Sequence, residues 1–243
     1  MFPGREFPDD FDTTSIGIVC LRRNTEVALS VIDEMMEYVN SDGIMGVIAP
    51  FHVIFMLLTD FSYHQTYFDH SRPRFDSIVC INVLTLFYTY GRGHCLPRTL
   101  QWVQETLASR AYIGGTRYYT TSECFLFFLS RFLSCCNDAD LHATLRPLLK
   151  ERVQELIGDP GDALALAMRI LTCDFVGIKN EVDLGALLSL QSEDGSWGVG
   201  WIYRLPSVGI QMGNRGLTTA LAIKAISLIG VPVVAAARRR FSF

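Results

Sequence analysis

The stretch Ser77–Tyr90 reads SIVCINVLTLFYTY and is apolar at nearly every position. Alternation of apolar and polar residues, typical of strands, is scarce along the chain, so we expect this stretch to form a helix. A helix that is apolar on every side must be covered by other elements on every side. Three further stretches have the same character: ECFLFFLSRFL (123–133), DALALAMRILTCDFV (162–176) and GLTTALAIKAISLIG (216–230).

A second set of stretches is amphipathic at helical spacing: TEVALSVIDEMMEYV (25–39), LPRTLQWVQETLAS (96–109), LHATLRPLLKERVQELI (141–157) and VDLGALLSLQ (182–191). Each of these helices would bury one face only. Fully covered and half-covered helices that alternate along a chain are what two concentric layers produce. We therefore predict an all-α fold, an α/α barrel in which the apolar helices form an inner ring around an apolar cavity.

The length of 243 residues suits one substantial domain, and we expect the barrel to occupy residues 1–243. The set of helices is incomplete for a closed barrel, because there are more candidate inner helices than outer ones. The last segment, GVPVVAAARRRFSF (230–243), makes a poor closing helix. We expect residues 231–243 to form an irregular tail and the chain to be a portion of a longer protein.

The composition excludes several classes of function. The net charge of −4 gives no broad electrostatic reason to bind nucleic acid. No apolar stretch is long enough to span a membrane, and the charged N-terminus is unlike a secretory signal. The seven cysteines include no C-x-x-C pair and several lie within apolar runs. Because buried free thiols are typical of a reducing compartment, we expect a cytoplasmic protein.

The segment FPDDFDTTSIG (7–17) places Asp10, Asp12, Thr13 and Thr14 directly before an apolar helix. Three interpretations fit it: a helix cap, a phosphatase nucleophile or a proton donor. Other inner helices also open with a carboxylate or hydroxyl group, at Asp76–Ser77, Thr120–Ser122 and Thr218–Thr219. N-capping explains such residues, and parallel inner helices would gather them at one mouth of the barrel.

Two motifs carry a resemblance to a known family. LLSLQSEDGSWG (187–198) resembles the QW repeat of terpene cyclases, with Gln191, Gly195 and Trp197 as the matching residues. Asp10-Phe11-Asp12-Thr13-Thr14 matches the D-x-D-T-T motif of the drimane and albicanol-type sesquiterpene synthases, which are class II terpene cyclases fused to a haloacid-dehalogenase-like domain. RFDSIVCINVLTLFYTYGRGHCLPRTLQWV (74–103) is also similar to members of this branch.

The resemblance implies a protonation-initiated bicyclisation of farnesyl diphosphate to a drimane-type diphosphate, drimenyl or albicanyl. Asp12 would be the general acid, and Asp10, Thr13 and Thr14 would orient its carboxyl group. Burial and the neighbouring Asp10 charge would keep the proton on Asp12 at neutral pH. In its QW element, the Gln191 amide would bond the end of a neighbouring helix and the Trp197 indole would stack over it.

Substrate-binding residues are expected near the ends of the inner helices. Aromatic faces stabilise a cation through their quadrupoles, and the candidates are Phe87, Tyr88, Tyr118, Tyr119, Phe125, Phe128 and Trp201. The diphosphate would be held by a cation, with Arg117 ranked before Arg92, Arg215 and Lys224, and with Mg²⁺ bound through the diphosphate. No protein-built metal site is expected. Removal of the diphosphate would need a separate phosphatase domain or enzyme.

Three alternatives stay open. A haloacid-dehalogenase phosphatase also uses D-x-D-x-T, and Gly158–Asp162 imitates its acidic second motif, but its nucleophile must follow a strand of a parallel sheet. A protein prenyltransferase shares the toroid but needs zinc, for which Cys173-Asp174 and His94-Cys95 offer ligand types without a recognisable pattern. The third alternative is a non-catalytic cyclase domain that binds an isoprenoid or a partner.

Overall fold

The computed structural model describes residues 10–46, 75–205 and 209–228. Nearly all regular structure in these ranges is α-helical, and the remainder is one pair of short strands and one 3-10 turn. The predicted all-α class is therefore confirmed, and the helix content is consistent with the expected α/α-barrel fold. Within the same ranges, no helix combines the length and the apolar character that a membrane span needs. The predicted tail, residues 231–243, lies outside the described residues.

The chain falls into two compact units, Met1–Glu105 and Thr106–Phe243. The prediction of a single domain over residues 1–243 stays a prediction. The described helices that begin before Glu105 are α1 (Phe11–Leu21), α2 (Thr25–Met36), α3 (Ser77–Thr89) and α4 (Pro97–Ser109), and a 3-10 turn spans Gly93–Cys95.

Helix α3 is the buried helix of the first unit. Every side chain from Ser77 to Phe87 is buried, and α1 packs along this helix. Helix α2 buries only Ala28, Ile32 and Met35, which lie three or four residues apart and so share one face. The predicted contrast between a covered and a half-covered helix is confirmed here.

The helix starts confirm one predicted cap and correct another. Asp76 caps α3, because its Oδ1 accepts hydrogen bonds from the backbone N–H groups of Ile78 at 2.8 Å and Val79 at 3.3 Å. The cap of α1 is Asp10, whereas Asp12 was among the residues predicted to cap it. Asp12 lies inside the first turn of the helix, so its carboxyl group is not used as a cap.

The second unit contains α5 (Ser122–Cys135), α6 (Ala139–Gln154), α7 (Ala163–Phe175), α8 (Glu181–Ser189), β1 (Trp201–Leu205), β2 (Ile210–Gly213) and α9 (Arg215–Leu228). Helix α7 is its centre, since α5, α6, α8 and α9 all pack against it. Every side chain of α7 from Ala163 to Cys173 is buried. The predictions of covered helices at α5 and α7 are confirmed.

The prediction that residues 216–230 form a helix covered on every side was wrong. The buried side chains of α9 are Thr218, Ala222, Ala225 and Ile226, which lie on one face. On the other face, Leu228 is 48% exposed among the described residues. Thr218 and Thr219 also lie within this helix rather than at its start, and Asn214 takes the capping position, with its Oδ1 accepting from the Leu217 N–H at 2.9 Å.

Strands β1 and β2 were not predicted. They pair in antiparallel orientation, and Tyr203 of β1 also bridges Tyr119 in the loop before α5. The Arg204 backbone N–H donates to the Tyr118 carbonyl at 2.7 Å, which adds the loop to the strand pair. Strands of five and four residues carry too little alternation to be recognised beside strong helical patterns.

A buried ionic network joins three helices of the second unit. Arg169 of α7 donates to Glu123 Oε1 of α5 at 2.6 Å and to Asp183 Oδ1 of α8 at 3.1 Å. Arg169 is 1%, Glu123 6% and Asp183 1% exposed. Asn180 Nδ2 donates to the other oxygen of Asp183 at 2.6 Å. Such a network stabilises the fold only while every charge keeps its partner.

We predict that Arg169→Met lowers the free energy of unfolding by about 3–5 kcal/mol, because it leaves two carboxylates buried without their cation. Urea unfolding followed by circular dichroism measures this change. The matched control is Lys179→Ala, which removes an ion pair to Glu181 that is 2.6 Å long but exposed to solvent. The control should change stability far less, and equal losses in both variants would contradict a stabilising role for the buried network.

Candidate active site

The candidate proton donor, Asp12, lies in the first turn of α1. Asp10 caps this helix, because its Oδ1 accepts from the Thr13 backbone N–H at 2.7 Å. With the cap fixed, Phe11, Asp12 and Ser15 form the inward face of the first turns and all three are buried. Asp12 is only 8% exposed, so the predicted burial of its carboxyl group is what the structure shows.

Asn82 of α3 holds the carboxyl group of Asp12. Its Nδ2 donates to Asp12 Oδ1 at 2.7 Å, across the packing of α1 on α3. Asn82 is itself 5% exposed, so both partners of this hydrogen bond are buried. Sequence reasoning missed this residue. The available signal was an amide side chain in the middle of a helix that is otherwise almost entirely apolar.

The surroundings of Asp12 on α3 are neutral or acidic. Burial raises the pKa of the Cys80 thiol, and the nearby carboxylates of Asp76 and Asp12 raise it further. The thiol is therefore un-ionised at neutral pH, and it donates to the Met45 carbonyl at 3.4 Å. Asp76 is 2% exposed and serves as the cap of α3.

Ser15 adds a second polar group to the inward face of α1. It follows Asp12 by three residues and is completely buried. Its Oγ makes no hydrogen bond within the part of the chain that the structure describes. A buried hydroxyl group without a partner costs about 1–3 kcal/mol. The position is therefore one where a water molecule or a polar ligand atom would be stabilised.

The other polar residues of the D-x-D-T-T motif, Asp10, Thr13 and Thr14, are more exposed to solvent than Asp12. Asp10 uses Oδ1 to cap α1, the Thr13 side chain is exposed, and Thr14 is partly exposed. Asn82, rather than one of these three, donates the described hydrogen bond to Asp12. The expectation that Asp10, Thr13 and Thr14 orient the acid stays a prediction.

The three arginines proposed to bind the substrate have unequal surroundings. In the first unit, Arg92 pairs with Asp33 at 3.2 Å. In the second unit, Arg215 pairs with Asp194 at 2.6 Å. Arg117, also in the second unit, is exposed, and its guanidinium lies 5.8 Å from the centre of the Tyr118 ring. Arg117 has no carboxylate partner among the described residues.

The proposed aromatic residues are mostly buried. Phe87 of α3 is fully buried in the first unit. In the second unit, Tyr118 stacks on Tyr203 at 5.6 Å and Tyr119 meets the same ring edge to face at 5.6 Å. Two further residues have different surroundings: Phe125 stacks on Tyr112 at 4.7 Å, and Trp201 of β1 is 45% exposed.

The QW element stabilises the end of its own helix rather than that of a neighbouring helix. The Trp197 indole N–H donates to the Leu187 carbonyl of α8 at 2.8 Å, and Trp197 is fully buried. The Gln191 amide donates to the Gly195 carbonyl at 2.9 Å and so closes the loop between them. Gly195 has φ +82°, a left-handed conformation that glycine adopts readily. The predicted bond to a neighbouring helix is therefore corrected.

Arg215 belongs to this loop. Its guanidinium donates to Asp194 and Ser196 side chains and to the Trp197 carbonyl. Hydrogen bonds from Ser196, followed by the one from Arg215, lower the pKa of Asp194 to about 2. The described contacts of Arg215 thus anchor the loop after α8 to α9.

The described residues contain no group of three or more His, Cys, Asp or Glu side chains close enough to hold a metal ion. Cys173, one of the predicted zinc-type residues, is buried and accepts a contact from the Asn180 amide at 3.6 Å. Asp162, in the segment that imitates a phosphatase motif, caps α7 through the Ala165 N–H at 2.9 Å. The described contacts of Cys173 and Asp162 therefore stabilise the local structure.

Asp10 and Asp12 have different structural roles. We predict that Asp10→Ala lowers the free energy of unfolding by about 1 kcal/mol, because it removes the cap of α1. Asp10→Asn should retain nearly all of the stability, since the amide oxygen can accept the same hydrogen bond. Urea unfolding of the two variants beside the wild type measures the difference, and a stable Asp10→Ala protein would contradict the capping role.

Two comparisons with known proteins bear on the family of this chain. Residues 1–90, which include Asp12 and α3, match the family model described as the sesquiterpene cyclase astC-like C-terminal domain. The chain is also 44% identical over 227 residues to the drimenol cyclase drtB of Aspergillus calidoustus. The aligned region is 93% of this chain and 39% of that protein, so the chain spans about two fifths of the length of this curated relative.

The match over residues 1–90 covers the segment that contains the D-x-D-T-T motif, and the longer alignment covers nearly the whole chain. The resemblance that the motifs indicated is confirmed: over nearly its whole length, this chain is similar to a sesquiterpene cyclase.

Proposed function

We propose that this chain is the cyclisation domain of a class II sesquiterpene cyclase. Its substrate would be farnesyl diphosphate and its product a drimane-type diphosphate, drimenyl or albicanyl. The observation that carries this proposal is the burial of Asp12, at the second acidic position of the motif, against an apolar helix. The name of the relative, a drimenol cyclase, supports the drimane skeleton.

The environment of Asp12 suits the first step of this reaction. An alkene is a very poor base, so its proton donor must be protonated at rest and shielded from water. Burial disfavours the ionised form of a carboxyl group, and Asp12 is almost fully buried. An amide N–H at Oδ1 stabilises the carboxylate that forms after proton transfer. Burial thus favours a proton that stays on Asp12 at rest, and the amide favours the carboxylate once the proton has moved to the substrate.

The proposed reaction conserves protons. Asp12 gives its proton to the terminal alkene of farnesyl diphosphate, so the O–H bond breaks, a C–H bond forms and a tertiary carbocation results. Two neighbouring alkenes attack in succession and close two rings. The last cation loses a proton from carbon to water, solvent returns a proton to the Asp12 carboxylate, and the carbon–oxygen bond to the diphosphate stays intact. Hydrolysis to an alcohol would be the task of a phosphatase domain or a separate enzyme.

The buried aromatic residues are the candidates for stabilising the cation, because their ring faces attract positive charge without reacting. Phe87, Tyr118, Tyr119 and Phe125 fit this role better than the half-exposed Trp201. For the diphosphate, Arg117 is the first candidate. Arg92 and Arg215 come after it, because each is already paired with a carboxylate.

Mg²⁺ would accompany the substrate through its diphosphate oxygens. The described carboxylates, histidines and cysteines do not fit a protein-built metal site, because no three of them come together. In the proposed reaction, no proton or bond is transferred through a protein-bound metal ion.

We predict that Asp12→Asn abolishes cyclisation while the protein stays folded, because an amide has no proton of comparable acidity to give. The loss in kcat should reach at least about 10³-fold if proton donation is the main contribution. Purified protein is incubated with farnesyl diphosphate and Mg²⁺, the products are treated with phosphatase, and the alcohols are separated by gas chromatography with mass detection.

A bicyclic drimane alcohol from the wild type and farnesol from Asp12→Asn would support the proposal. Farnesol from both proteins, together with measurable binding of farnesyl diphosphate, would support the alternative of a non-catalytic isoprenoid-binding domain. Full activity in a folded Asp12→Asn protein would refute the assignment of the acid.

A further inference from the structure

We propose that Asn82 is the positioning residue of the proton donor: its amide fixes the Asp12 carboxyl group through Oδ1 and so assigns the transferable proton to Oδ2. This inference rests on the proposed function of Asp12. The observation behind it is the hydrogen bond of 2.7 Å from Asn82 Nδ2 to Asp12 Oδ1. The two residues lie on different helices and are separated by 70 positions in sequence.

The position of Asn82 needs an explanation beyond packing. Its helix is buried along its whole length from Ser77 to Phe87, and a primary amide in such a place loses its hydrogen bonds to water. The other polar side chain in the middle of α3, Thr85, bonds within the helix, to the Ile81 carbonyl at 2.8 Å. Asn82 instead reaches a second helix, and its partner there is Asp12.

The hydrogen bond acts differently on the two states of the acid. While Asp12 is protonated, the amide N–H donates to a neutral carbonyl oxygen. Once the proton has left, the same N–H donates to a carboxylate, and hydrogen bonds to a charged group are roughly twice as strong. The donor is already in place, so no group has to reorganise when the charge develops. Asn82 thus makes a buried acid easier to deprotonate in the reaction.

The same contact restricts the direction of the proton. A carboxyl group held only by its own backbone can rotate about its last bond, and a donor at Oδ1 stops that rotation. Correct orientation of reacting groups is worth orders of magnitude in rate. Other ionisable groups near Asp12 on the helices packed here are Asp10 on its own helix and Asp76 and Cys80 on α3. Two of these are acids, and the third is a thiol whose described hydrogen bond goes to the Met45 carbonyl.

The test compares Asn82→Leu, which keeps the size of the side chain and removes the donor, with Thr85→Val on the same helix. Both variants remove one buried polar group from α3, but only the first contacts Asp12. We expect Asn82→Leu to lower kcat by about 10²–10³-fold, as for the loss of one donor to a developing anion. KM for farnesyl diphosphate should change little, and Thr85→Val should keep nearly the full kcat.

A second readout does not depend on turnover. The infrared carbonyl band of protonated Asp12 is identified as the band that Asp12→Asn removes. A hydrogen bond to a carbonyl oxygen lowers its stretching frequency, so the band should move to higher frequency in Asn82→Leu and stay in place in Thr85→Val. If Asn82→Leu does not fold, the smaller Asn82→Ala replaces it, because it also removes the donor, with the same expected fall in kcat and a displaced band.

Equal kcat values for the Asn82 and Thr85 variants, or an Asp12 band that stays unchanged without Asn82, would overturn the inference. The two readouts also separate it from the proposed function. Cyclisation by the wild type with an unaffected Asn82 variant would refute the positioning role only. A wild type without cyclisation, but with a band that moves when Asn82 is replaced, would refute the proposed reaction and leave the contact with Asp12 established.

Discussion

The packing of α1 against α3 is the interaction on which the candidate site depends. It takes the Asp12 carboxyl group out of water and places it beside the one amide of a buried helix. In water, a carboxyl group would ionise and an alkene could not remove its proton. Against α3, burial disfavours the ionised form of the carboxyl group, and the described hydrogen bond from Asn82 stabilises the carboxylate once it forms. The expected protonation of Asp12 therefore depends on α3, a helix that is distant from it in sequence.

The different roles of Asp10 and Asp12 follow from helix geometry. The carboxylate of Asp10, at the cap, accepts a hydrogen bond from a backbone N–H group. Asp12, two positions later, lies on the inward face of the first turn. A spacing of one intervening residue thus gives one structural carboxylate and one buried carboxyl group. Phe11 between them is buried and packs near Tyr38, with ring centres 5.8 Å apart, which helps to hold the turn against the core.

Much of the fold could be predicted from the pattern of apolar residues. The covered helices α3, α5 and α7 contain hardly any charged residue, and that composition has only one physical solution in a folded chain. Asp76 was recognised as a cap because a carboxylate directly before an apolar run is a local signal. Helix α9 was overpredicted, because its sequence is apolar on all sides although only one face meets described neighbours.

The parts that could not be predicted depend on contacts between distant residues. The amide of Asn82 within an apolar run is a local signal, but the sequence does not show its partner, which is known only when α1 is packed beside it. The same holds for Arg169, whose two carboxylate partners come from helices before and after its own. The groups that the Gln191 amide and the Trp197 indole bond depend on a loop geometry that no short sequence pattern encodes.

The central claim is that the reaction begins with a proton from the protein, and deuterium incorporation tests it most directly. The wild-type protein is equilibrated in D₂O, incubated with farnesyl diphosphate, and the cyclised product is analysed by mass spectrometry and NMR. Because the carboxyl proton of Asp12 exchanges with solvent between turnovers, the product should contain a single deuterium, in the ring methylene group formed from the CH carbon of the terminal alkene. A cyclised product without deuterium would show that the reaction begins by another route and would contradict the role assigned to Asp12.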